Sequence, residues 1–140
     1  MKRLIPLFLT LALVLSLGGC GSDASENTPV DLDLTQLSST MVYAEVFNMM
    51  YTPEDYVGRT VRMEGTLAVW HDTERERYYY TCIVEDATAC CAQGVEFVWD
   101  GHTPEEYPPE GSRVQVVGTF GTYEEDGFQY CQLEQAELTW

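Results

Sequence analysis

From Thr60 to Val69 apolar and polar residues alternate. Val61, Met63, Leu67 and Val69 share one face with Gly65, while Arg62, Glu64 and Thr66 share the other. Period two is the mark of a β-strand with one buried face. Glycine inside such a strand signals a bend or a close backbone approach. The polar stretch 71–76 predicts a turn, and residues 78–84 a second strand. Val95, Phe97 and Trp99 alternate through a third strand, and Val114, Val116 and Phe120 through a fourth. A fifth runs from Phe128 to about Leu138. Glu124-Glu125-Asp126-Gly127 joins the last two with the acidic–glycine pattern of a tight hairpin.

Ahead of the strands, Val42, Val46, Met49 and Met50 recur at helical spacing, with Tyr43 and Phe47 beside them. Ser38 and Ser39 are good N-caps, because a serine oxygen accepts a free N–H of the first turn. Pro53 stops the helix. The pattern predicts a core-facing helix over about 39–51. Pro104, Pro108 and Pro109 leave room for only a short helical turn between the third and fourth strands.

A long, glycine-interrupted first strand, two hairpin partners, a connection and a final hairpin, over roughly residues 56–140, resemble the OB-fold. The resemblance implies a mainly β chain: a five-stranded, OB-fold-like Greek-key barrel with one N-terminal helix covering its open end. It also implies geometry. Strands two and three pair about the loop 85–94, which puts Cys82 across from Phe97, and pairing strands one and two by their apolar faces puts Cys82 across from Gly65. Strands three and five run parallel, which brings Cys131 toward Cys90 and Cys91. All four thiols, Cys82, Cys90, Cys91 and Cys131, then share one pocket.

The N-terminus reads differently. Lys2 and Arg3 precede an apolar run from Leu4 to Leu17, too short for a membrane span. Leu17-Gly18-Gly19-Cys20 resembles the lipobox of bacterial lipoproteins. That resemblance implies a signal peptide over 1–19, cleavage before Cys20 and lipidation of Cys20. Residues 20–37 follow as a flexible linker, with the barrel and its helix at 38–140. Location at the cell membrane is implied, lipid-anchored on the extracytoplasmic face.

The full chain carries 7 basic and 23 acidic residues, a net charge of −16. Loss of Lys2 and Arg3 leaves five basic residues, all arginine, against 23 acidic, or −18. Such a field repels phosphate backbones and predicts no nucleic-acid partner. It attracts cations.

Export permits disulfides. An even count of four cysteines beyond Cys20 fits two of them, which would staple the domain as an interaction module for an envelope protein, peptide or glycan. Thiolates also suit a soft metal ion such as Zn²⁺ or Cu⁺. The absence of a Cys-x-x-Cys pair argues against thiol–disulfide exchange. Tyr79 faces opposite Tyr78 and Tyr80 on a pleated strand, so at least one tyrosine points outward. Tyr79, with Glu96 near the thiols, is a candidate ligand-binding residue. No catalytic residues are assigned: the chain has no P-loop, no dinucleotide fingerprint and no nucleophile–base pair. Asn48-Met49-Met50, the segment Pro53 to Gly58 and the segment Asp86 to Phe97 together resemble small lipoproteins of Firmicutes that carry a C-terminal OB-fold-like domain and imply no known activity. The expected function is a membrane-anchored extracytoplasmic binding lipoprotein, not an enzyme, handling a soft metal ion through clustered cysteines.

Overall fold

The computed structural model describes residues 29–140. The expected signal peptide at 1–19, Cys20 and the first part of the expected linker lie outside the described residues. In chain order the elements are β1 (Leu32–Asp33), α1 (Ser39–Tyr51), β2 (Thr60–Asp72), β3 (Arg77–Glu85), β4 (Ala92–Phe97), β5 (Arg113–Glu125) and β6 (Phe128–Thr139). The sheet runs β2-β3-β4-β6-β5 and closes on itself through a β2–β5 pairing. β4 and β6 are parallel, and the other barrel pairs are antiparallel. This is a closed five-stranded, OB-fold-like barrel with one helix, as the alternation predicts.

β2 is shared between the two halves of the barrel. Thr60 to Thr66 pair with β5, and Thr66 to Asp72 pair with β3. Gly65 sits at the changeover. A Cβ there would fall 2.3 Å from the carbonyl oxygen of Ile83 and 2.8 Å from Cys82 Sγ. The glycine therefore leaves the space that the crossing of the strands and the Cys82 sulfur occupy. The inward residues Val61, Met63, Leu67, Val95, Phe97, Val114, Val116, Phe120 and Leu133 form the core.

α1 packs over β3 and β4. Val46 and Met49 are buried, while Phe47 and Met50 remain about half exposed. The buried stripe is thus narrower than the six apolar residues suggest. Ser38 occupies the N-cap with extended backbone, yet its side chain makes no capping bond. Between β4 and β5 there is only a short 3-10 turn, Pro104–Glu106. The following residue, Tyr107, stacks on Tyr80 with ring centroids 3.6 Å apart. It packs on the core where the OB-fold ordinarily places a helix.

Within the expected linker, the short extended piece that Val30, Leu32 and Leu34 predict packs on the barrel. Leu32 and Asp33 pair in parallel with Val61 and Arg62. Asp33 accepts a bond from the Thr35 N–H and pairs with Arg62 at 3.0 Å, and Leu34 is fully buried. The alternation of Val30, Leu32 and Leu34 with two aspartates is the sequence cause of this docking.

Gly65→Ala is expected to destabilise the barrel by about 1–3 kcal/mol, because the new methyl meets a fixed backbone carbonyl. Denaturant unfolding checks this. An unchanged midpoint would show that β2 does not need the close approach.

Candidate functional site

The hairpin between β3 and β4 ends in the exposed loop 86–91. Asp86 organises it. Its N–H donates to the Cys91 carbonyl, and its own carbonyl accepts from Ala89 N–H, both at 3.0 Å. Its Oδ1 accepts from the N–H groups of Thr88 at 3.2 Å and Cys90 at 3.0 Å. Aspartate favours this local capping, since its short carboxylate reaches backbone donors two residues on and beyond. Ala89 takes a left-handed φ of 52° to close the turn.

The outcome is a compact donor set. Cys90 Sγ donates to Asp86 Oδ2 at 3.2 Å, and the sulfurs of Cys90 and Cys91 are 3.4 Å apart. Among the described residues, Asp86, Cys90 and Cys91 are the one group of three or more His, Cys, Asp or Glu side chains whose ligand atoms all lie within 4.8 Å of one another. The Cys90 hydrogen bond holds the Asp86 carboxyl below its usual range. The same Cys90 thiol, then burial and the Asp86 charge, push the Cys91 thiol up. An entering cation must therefore displace thiol protons.

Beside the loop, a cleft of about 410 Å³ opens between residues 34–42 and the end of the β2–β3 sheet. Glu64, Glu85, Asp86 and Arg113 line it, and Arg113 pairs with Glu64.

The four-thiol pocket is corrected. Cys82 and Cys131 do not join the group. Cys82 lies opposite Val95, not Phe97, which faces Tyr80 instead. Its partner on β2 is Leu67, not the expected Gly65, although its sulfur still points into the barrel beside Gly65, and burial pushes its pKa up to about 12. Four residues of strand separate Cys82 from Asp86, or roughly 13 Å at ~3.3 Å per residue. Cys131 precedes Gln132, the partner of Glu96, and so enters beside the middle of β4. It is buried too, and that burial raises its pKa.

The disulfide staple is corrected by the same geometry, because all four of these cysteines are free. β4 lies between Cys82 and Cys131, two strand spacings or about 9–10 Å, beyond the ~7 Å that a disulfide spans. Only the adjacent pair has its sulfurs close together.

Tyr79 and Glu96 both lie away from the donor set. Tyr79 is buried beneath Trp70, whose ring is 5.2 Å away, and Arg77, 4.5 Å away. Its hydroxyl donates to Glu125. Glu96 accepts from the Tyr123 hydroxyl at 2.7 Å. Two further ion pairs, Arg75–Asp126 and Arg77–Glu125, tie the β2–β3 and β5–β6 hairpin tips together. Sequence reasoning missed this arrangement; the two arginines within 74–77 and the three acids at 124–126 were its one available signal.

No known protein family and no curated protein matches this chain. A solved structure of a Klebsiella pneumoniae lipoprotein, provisionally named as nucleic acid-binding, shares the fold. Its TM-score is 0.50 at 16% identity, covering 86% of this chain and 98% of that one. The exclusion of nucleic acid is overturned by this finding, because a lipoprotein of the same fold bears that name. The exclusion rested on net charge, which sums over the whole chain.

In the folded, reduced protein, Cys90 and Cys91 are expected to react rapidly with a thiol reagent. Cys82 and Cys131 should react only at the rate of opening of the barrel. Mass-resolved labelling with time checks this, and equal rates for all four would contradict the placement.

Proposed function

We propose that this chain is a lipid-anchored, extracytoplasmic OB-fold module that binds without transforming, and that the loop 86–91 holds a soft metal ion. The observation that carries the reading is the convergence of Asp86, Cys90 and Cys91 within 4.8 Å on an exposed loop. Two thiolates and one carboxylate suit a borderline-soft ion such as Zn²⁺. The acidic chain concentrates cations around the loop. Three protein donors leave a coordination position open, which is the pattern of a site that exchanges its occupant rather than one that stiffens a fold. The resemblance to small Firmicutes lipoproteins and the lipoprotein of the same fold both support an envelope role.

A metal titration of reduced protein, read by elemental analysis after desalting, tests this. One equivalent is expected to stay bound, and Cys90→Ser with Cys91→Ser to lower affinity at least 100-fold, on the order of 3 kcal/mol. Retention of metal by the double variant, or none by the parent, would overturn the reading.

A second reading is supported by the aromatic outer face. Trp70 and Tyr130 are exposed there, and Tyr130 stacks on Tyr123 at 5.3 Å. OB-folds hold oligosaccharides and oligonucleotides on such rings, and stacking contributes about 1–3 kcal/mol per base. Trp70→Ala with Tyr130→Ala is expected to reduce retention of an envelope glycan or a single-stranded oligonucleotide at least tenfold. Equal retention by parent and variant would remove this reading.

A further inference from the structure

The separation of the two sulfurs narrows the class of ion, on the reading of loop 86–91 just given. At a metal–sulfur bond of about 2.3 Å, a tetrahedral ion holds two sulfurs ~3.8 Å apart and a linear ion ~4.6 Å apart. Cys90 and Cys91 sit 3.4 Å apart, and with the same ~2.3 Å bond that spacing subtends an angle of about 95° at the ion. Without rearrangement, that spacing lies closer to a right-angled chelate than to a linear dithiolate. Angles near a right angle belong to pyramidal centres that carry a stereochemically active lone pair.

Asp86 keeps the bite narrow. It accepts from both the N–H and the sulfur of Cys90, at 3.0 and 3.2 Å, and so fixes that side chain beside Cys91. Cys91 follows directly in the chain, which keeps its Cα about 3.8 Å from that of Cys90. Both cysteines are exposed, so the pair is open to a small neutral solute.

We propose that the Cys90–Cys91 pair is a chelating site for a trivalent metalloid hydroxide of the arsenite or antimonite class. The reaction is a condensation without electron transfer. Two S–H bonds and two As–OH bonds break. Two As–S bonds form, and the thiol protons leave with the hydroxides as two waters. One hydroxide stays on arsenic. The Asp86 carboxylate, beside Cys90 Sγ, relays that thiol's proton to a departing hydroxide.

Reduced full-length protein is titrated with sodium arsenite, alone and against one equivalent of Zn²⁺, and read by intact mass and elemental analysis. The expected result is one arsenic per chain, bound through loss of two waters, with zinc displaced. Cys90→Ser and Cys91→Ser should each lower arsenite retention at least 100-fold, and circular dichroism should stay unchanged because both residues are exposed. Zinc held while arsenite is refused would overturn this proposal and leave the soft-metal reading standing. Refusal of both would overturn both. Arsenite retained equally by the single serine variants would also overturn the chelate.

Discussion

The barrel depends on β2 belonging to two sheets at once. That is a steric condition before it is an energetic one. At Gly65 the backbone of Ile83 and the sulfur of Cys82 take the space that any side chain would claim. With that approach made, β2 hands its pairing from β5 to β3 across Thr66, and the inward faces of both halves bury one core. Cys82 is thereby committed to the interior. Its thiol fills the gap under a glycine, a packing role that explains its burial without any ligand.

The same closure divides the cysteines into two kinds. Cys82 and Cys131 point into the barrel and stay protonated through burial. Cys90 and Cys91 ride on a loop whose shape Asp86 dictates by accepting from the N–H groups of Thr88 and Cys90 and from the Cys90 thiol. The scaffold contributes little to that loop beyond two antiparallel strand ends at Glu85 and Ala92. Local side-chain-to-backbone bonding does the rest. A donor set built this way is accessible, whereas one made from the interior thiols would require the barrel to open.

Much of the fold was legible because periodicity reports which face is buried. The helix at 39–51, the bend at Gly65 and the hairpin at Asp126-Gly127 all follow from spacing and turn chemistry. Register was less legible. Ala92 and Gln93 join β4, so the β3–β4 turn is shorter than the apolar pattern shows, and the pairing slides by two residues. A two-residue slide keeps every side chain on its own face, so Cys82 and Val95 both still point inward although Phe97 was the expected partner. The site was half legible. Strand order correctly put β4 and β6 side by side in parallel, but they pair at the end of β4, through Glu96 and Phe97, and the direction of the Cys131 side chain depends on pleat parity and barrel curvature, which strand order does not carry. The pairing of the hairpin tips through Arg75 and Arg77 depends on two turns distant in sequence, and spacing along the chain is silent on that.

The central claim is that two sulfurs, not four, face an incoming ion. X-ray absorption at the zinc edge of the monomeric, zinc-loaded protein counts them directly. The account predicts two sulfur neighbours, with oxygen or nitrogen completing the shell. Three or four sulfur neighbours would contradict it, because Cys82 or Cys131 would then have left the barrel to reach the loop.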